Sequence, residues 1–564
     1  MNSKTIKEFS MKQKIGLLLL GIFLLVGFSL RYYRLDEVPQ GLNWDEAANG
    51  YNAYSLLKTG KDEFGKPWPI ITESFGEYKS GLGSIMLIPT VKKFGLSIYA
   101  TRLPTVIFGC LLILVSFYLA LQVFNKTIPA SLVAGLIAVS PWAIHTSRFS
   151  LEWYLGFPLM VLGLSLLIGS QKHNWKMLIA ATLLSSSLYF YSNIKLFLPL
   201  MLLAYIVIYR KSLKKQLKLI ITSFTLGLLI LLPLFKEMGQ TDWLARARKV
   251  SIVTNDNLLL QLNEGLYRHN VSNLPLIRLF NNKPLFFGKE FIQRYLQHFS
   301  IDFLFIGKDA TPRLEIEKVG KLYLISLPFL IWGLTEAIKR RKPVDKFLLA
   351  WLALAPLASS LTIDSPHGLR AIIMMPVLQI FTVRGLISSY QLLGKKPFLL
   401  KTASIIVIAS LYLGGLSYFL WRYFLFYPES SAADWLDGHK TVIEKMQQYR
   451  SKFDQIIFTT SRGQPHIFVA FFTLVDPQLY QQEVVDQQNI FNAYLTHIAG
   501  VKFKEIVGDD FCLTNTLIID EPNQHGAIPK LDQVYYQNRF HDPKLAFELF
   551  DTNNSKVRKY YCSN

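Results

Sequence analysis

Asp45 and Glu46 stand side by side shortly after an apolar run, Ile15–Leu30, and the same stretch continues to Glu73, Glu77 and Lys79. Further along, RFSLE sets Arg148 and Glu152 four residues apart, and SPHGLR sets His367 beside Arg370; both pairs share a face if their segments are helical. Carboxylates and cations of this kind suit transfer away from a phosphate. The carboxylate deprotonates an acceptor hydroxyl, and the cations stabilise charge on the departing phosphate. Arginine does so by forked hydrogen bonding and lysine as a point charge. Each residue also has a structural reading. Asn43 and Glu46 have the spacing of a capping box, which leaves Asp45 the freer carboxylate. Asp45 could simply favour a helix N-terminus. Arg148 and Glu152 could form a local ion pair, and His367, Arg370 and Arg102 could be interfacial anchors.

The elements that would position these residues are apolar. Half of the 564 residues are hydrophobic and 18% are charged, against about 25% in a typical soluble chain. Runs such as Leu155–Gly169, Leu196–Ile208 and Ile405–Leu420 carry no charge. A spanning helix needs roughly 20 mostly apolar residues. Eleven spans are expected, near 15–30, 101–124, 129–147, 153–170, 177–190, 196–209, 219–235, 320–338, 347–361, 371–389 and 402–421.

The loops orient them. With the N-terminus and its Lys4, Lys7, Lys12 and Lys14 in the cytoplasm, the inner loops QKHNWK, RKSLKKQLK, KRRKPVDK and GKKPFLLK hold 2, 5, 5 and 3 basic residues. The short outer loops RFSLE, YSNIK and TIDSPHGLR hold one each. That alternation follows the positive-inside rule. It also accounts for the net charge of +21 without a nucleic-acid partner, since the basic residues lie in loops and form no binding stripe. The basic start is followed by Arg31, Tyr32, Tyr33 and Arg34 and no small-residue cleavage site, so the first apolar run reads as an uncleaved span.

Three large segments then fall outside: 31–100, 236–319 and 422–564. In the first, Asn43 starts a helix that Gly60 can end, and Leu82–Phe94 reads as a second, juxtamembrane helix. In the last, FDQIIFTT and TLIIDEP read as buried strands, with helices near Val442–Tyr449 and Pro465–Phe472. The expected fold is thus an all-α polytopic membrane domain, 1–421, followed by an extracytoplasmic α/β domain, 422–564. Cys512 and Cys562 could be bridged if that domain lies outside the cell. No metal-ligand spacing occurs among the three cysteines, and neither a metal nor another cofactor is expected.

The first outer loop reads L-x-x-x-P-x-G-L-x-W-D-E-A, continues to a Tyr-Lys pair expected on a helix, and is followed by F-G-x-S-x-x-A-x-R-L-P-T opening the next span. This pattern resembles the protein O-mannosyltransferase and aminoarabinose transferase superfamily of GT-C membrane glycosyltransferases, over roughly residues 15–420. The resemblance implies a sugar moved, with inversion, from a polyprenyl-phosphate donor to an acceptor hydroxyl on the outer face of the cell membrane. The acceptor would be a glycan, a lipid or a protein. It further implies Asp45 as catalytic acid-pair member with Glu46 as its partner, Lys79 near the donor phosphate, and Arg148 with Glu152 as the arginine-acid pair of the second outer loop. The residue types alone add His367 and Arg370 to Lys79 and Arg148 as expected contacts of the donor phosphate. The chain lacks the H-P-P-x-x-K of protein mannosyltransferases. Two other classes fit many spans: a transporter, although the charges lie at one face and not the midplane, and a non-catalytic receptor for wall polymer.

Overall fold

The computed structural model describes residues 10–151, 153–268, 282–394, 396–487, 495–526, 528–536 and 544–562. It divides into two compact units, residues 1–33, 106–147 and 153–422, and residues 34–105, 148–152 and 423–564.

The first unit is helical. A helix overlaps each of the eleven expected spans, and among the described residues five helical stretches are long and apolar enough to cross a membrane. Helix Phe398–Trp421 exposes Ile405, Ile406, Val407 and Leu413, and Leu217–Met238 exposes Ile221, Phe224 and Leu232. Apolar surface of this extent belongs against hydrocarbon, where a helix satisfies its own backbone. Two expected spans are broken. Helix Thr127–Ala138 stops, and Ser140 caps a new helix, Pro141–Thr146, by accepting the Ala143 N–H; proline in the first turn suits a helix start, not its interior. The ninth span is divided between Pro343–Leu354 and Leu357–Ser360, with Pro356 between them. Close helix packing is set by glycine. A Cβ on Gly333 would lie 1.8 Å from the Phe381 carbonyl oxygen, and one on Gly385 would lie 1.9 Å from that of Phe329. Helices Ser326–Arg340 and Met375–Leu392 therefore meet backbone to backbone, as small residues permit in membranes.

The second unit carries the segment expected as the first outer loop, and the C-terminal sheet. The capping box forms: Asn43 Oδ1 accepts the Asp45 N–H, and Glu46 reaches back to the Asn43 N–H at 3.3 Å, opening helix Trp44–Thr59. Gly60 closes it at φ 72°. Helix Leu82–Phe94 forms over the expected residues. Between the two, the Tyr-Lys pair differs from expectation. Tyr78 and Lys79 lie on a strand, because β1 (Ile71–Ser74) and β2 (Glu77–Ser80) pair as a hairpin. Its two turn residues, Phe75 and Gly76, both have positive φ, 53° and 72°, the mirror-image turn that fits strand twist.

The C-terminal strands are β3 (Gln455–Thr459), β4 (His497–Ile498), β5 (Val501–Lys504), β6 (Thr516–Asp520), β7 (Asp532–Tyr535) and β8 (Leu545–Asp551). They form one mixed sheet in the order β4-β5-β3-β6-β8-β7, with β3 parallel to both β5 and β6. Cys512 and Cys562 are joined by a disulfide. Helix Trp44–Thr59 is built into this unit's core: Ala47, Ala48 and Tyr51 pack in one cluster with Ile467, Phe468, Phe471 and Tyr480. Gly50 permits that approach, since a Cβ there would lie 2.7 Å from the Phe471 ring.

Candidate active site

The capping box fixes the backbone at Asp45, and it commits the neighbouring carboxylate elsewhere. Glu46 is fully buried. Its oxygens accept from Arg102 Nε at 3.0 Å and Nη2 at 3.1 Å, and from the Ser150 N–H at 2.8 Å. Arg102 is equally buried and donates its remaining hydrogens to the carbonyls of Leu35, Pro39 and Gly41. It is therefore an internal brace of the outer loop and not the interfacial anchor expected from its position. Glu46 and Arg102 together tie the helix start to the chain on either side of it.

Asp45 is different. Its side chain stays 22% exposed, and Lys79 Nζ lies 3.6 Å from its Oδ1. The Lys79 ammonium is buried, and its Nζ has no hydrogen-bond partner among the described residues; it lies 5.8 Å from the centre of the Phe75 ring. A buried cation usually has a full set of acceptors, so this lysine can still take an anionic oxygen.

Behind the pair lies a carboxyl that sequence reasoning missed. Glu63 accepts from Asn52 Nδ2 at 2.8 Å and from the Tyr480 hydroxyl at 3.3 Å, while its own N–H donates to Asn52 Oδ1 at 2.8 Å. Burial raises its pKa to about 7, and Lys79 acts in the opposite direction. Because the folded value lies above the ordinary one near 4.5, the folded state holds more protons between those values. The contribution of Glu63 to stability is then fully present below about pH 4.5 and is lost as pH rises through about 7. Glu63→Gln imitates the protonated acid. It should melt with wild type near pH 5 and above it at pH 8, by up to about 3 kcal/mol at about 1.4 kcal/mol per pKa unit. A melting difference that does not change with pH would exclude this linkage.

The second outer loop also departs from expectation. Arg148 lies in a turn after helix Pro141–Thr146, not on a helical face. Its guanidinium donates to the carbonyls of Val38, at 2.8 and 3.1 Å, and Arg34, at 3.0 Å, and lies 5.1 Å from the Phe424 ring centre. Glu152 is outside the described residues.

The last two predicted residues belong to the helical unit. His367 is the N-cap of a short helix, Gly368–Ala371, with Nδ1 accepting from the Leu369 and Arg370 N–H groups. Burial first, then the cations Arg370, Arg313, Lys321 and Arg246, hold the imidazole well below its usual pKa, and it is neutral. Arg370 donates to Thr362 Oγ1 at 2.6 Å and to the Asp364 carbonyl at 3.1 Å. Asp309 accepts from the Gly368 N–H at 2.9 Å and pairs with Lys321 at the same distance. So Asp45, Glu46, Lys79 and Arg148 fall in one compact unit, and His367 and Arg370 in the other.

No protein-family model matches the chain, and no curated protein matches it by sequence. Solved structures do. ArnT from Cupriavidus metallidurans in the apo state superposes with a TM-score of 0.54 at 12% identity, over 97% of this chain and 99% of that one. The same enzyme bound to undecaprenyl phosphate gives 0.53 at 13% identity, with the same coverage. The archaeal oligosaccharyltransferase AglB from Archaeoglobus fulgidus, in complex with an inhibitory peptide and a dolichol-phosphate, gives 0.50 at 13% identity, over 82% of this chain and 64% of that one. The fold is thus that of the GT-C membrane glycosyltransferases.

Proposed function

From a GT-C fold and the site in its first outer loop, we propose that this chain is an inverting glycosyltransferase that takes its sugar from a polyprenyl-phosphate donor at the outer membrane face. The observation that carries this reading is the pairing of half-buried Asp45 with Lys79, whose buried ammonium has no hydrogen-bond partner among the described residues. The donor phosphate takes over Lys79, which is worth a charge-assisted hydrogen bond. That releases Asp45 from its 3.6 Å contact, to accept the proton of the acceptor hydroxyl as the hydroxyl attacks the anomeric carbon. Polyprenyl phosphate leaves, its charge stabilised by a fixed cation that requires no reorganisation. Glu46 and Arg102 hold the frame, and Arg148 braces the loop through the Val38 and Arg34 carbonyls. ArnT with bound undecaprenyl phosphate and AglB with a dolichol-phosphate share the fold, which supports a lipid-phosphate donor here.

Lys79→Ala should weaken donor binding by roughly 1–3 kcal/mol, the worth of a hydrogen bond to a charged group. Titration of the purified protein with a polyprenyl-phosphate sugar measures it. The same titration on Arg370→Ala tests separately whether that arginine engages the donor. Unchanged binding in both variants would move the phosphate away from both residues.

The orientation rests on eleven spans with the N-terminus inside. Single cysteines replacing Lys214 or Arg341, both exposed, should react with an impermeant reagent only from the cytoplasmic side. One replacing exposed Lys502 on β5 should react only from outside. Cytoplasmic labelling at 502 would reverse the assignment.

A further inference from the structure

The second unit contains a cleft of about 430 Å³ that the proposed transfer chemistry does not use, within the range of about 300–1,000 Å³ common to small-molecule sites. It is lined by the chain just before the acidic pair, by the start of helix Ile98–Phe124, and by the C-terminal domain around residues 436–441 and 468–474. Gln40 and Asp437 are buried within it, and the Gln40 carboxamide donates to Asp437 Oδ2 at 2.8 Å. Phe471, Phe472 and Tyr99 supply apolar surface, and Asp36, Glu37 and Lys440 stand exposed at its edge.

We propose that this cleft is a subsite for an uncharged saccharide, holding the acceptor glycan beside the Asp45 centre. This rests on the glycosyltransferase reading. Three features select the ligand. Sugar hydroxyls both donate and accept, and carboxylates and a carboxamide offer acceptors with one donor group between them. The C–H faces of a pyranose need apolar surface, which aromatic side chains provide in quantity. Asp36, Glu37 and Asp437 line the cleft with one lysine, Glu37 being paired with Arg34, in a chain of net charge +21; the remaining excess of carboxylate disfavours a phosphate-bearing polymer there. Covalent geometry keeps the two near one another: Leu42 lines the cleft, and its backbone lies at most about 11 Å from that of Asp45, three residues on.

The test is direct binding to the full chain in detergent micelles, by saturation-transfer NMR and calorimetry. The probes are cellotriose, an N-acetylglucosamine trimer, a glycerol-phosphate oligomer, and a glucosyl diacylglycerol in mixed micelles. At least one neutral trisaccharide, or the neutral glycolipid, should bind. Its affinity should fall at least tenfold in Phe472→Ala and several-fold in Asp36→Asn. Asp36 is exposed, so its variant reports on the cleft without disturbing the core. Binding of the glycolipid alone assigns the saccharide to a lipid headgroup; binding of the free trimers assigns it to a polysaccharide. Preference for the glycerol-phosphate oligomer, no neutral ligand bound, or affinities unchanged in both variants would overturn the subsite. Loss of transfer activity in Asp45→Asn alongside any of these results would leave the glycosyltransferase reading intact. Saccharide binding without any transfer would do the reverse.

Discussion

Asp45→Asn should cost about 10²–10⁴-fold in turnover, the usual contribution of a general base, while the protein stays folded and binds donor nearly as before. The amide keeps the volume of the side chain and cannot accept the proton. The fold should be indifferent to the change, because the helix start is held by Asn43, Glu46 and Arg102 and not by the Asp45 carboxylate. Near-wild-type transfer by Asp45→Asn, with transfer abolished in Glu152→Gln, would move the base to the second outer loop.

Arg102→Met should have the largest effect on stability. It leaves the buried Glu46 carboxyl with only the Ser150 and Asn43 N–H groups to hold it among the described residues, and three carbonyls lose their donor. Breaking a buried ion pair from one side costs about 3–5 kcal/mol. Thermal unfolding and limited proteolysis of the first outer loop should both report it. Glu46→Gln should cost less, because an amide oxygen still closes the cap and accepts from Ser150. Adding Glu46→Gln to Arg102→Met should restore part of the lost stability, since no charge is then left uncompensated. Wild-type melting of Arg102→Met would refute the brace.

The parts of this molecule with a strong local signal were legible in the sequence. The capping box at Asn43 and Glu46, the stop at Gly60, and helix Leu82–Phe94 depend on neighbours within a turn or two. The apolar helices and the strands FDQIIFTT and TLIIDEP likewise follow from runs of side chains. The hairpin carrying Lys79 was not legible, because its turn is Phe75-Gly76, where a mirror-image turn usually places asparagine or aspartate before the glycine. Arg102 was misread for another reason: its partners, Glu46 and the carbonyls of Leu35, Pro39 and Gly41, are more than fifty residues away in the chain. Glu63 gave no signal, since its environment is made by Asn52 and by Tyr480, 417 residues further on. Two breaks inside expected spans, at Ser140-Pro141 and near Pro356, were marked by their prolines and are overridden in a hydropathy reading by the apolar residues around them.

The most direct measurement is the release of polyprenyl phosphate by the purified protein in lipid vesicles, supplied with a panel of polyprenyl-phosphate sugars and a cell-envelope extract as acceptor. For at least one sugar, phosphorus NMR should show free polyprenyl phosphate appearing in step with labelled sugar on the acceptor, with the anomeric configuration inverted and the reaction lost in Asp45→Asn. No release with any sugar, or release that Asp45→Asn does not diminish, would contradict a glycosyltransferase centred on that carboxylate.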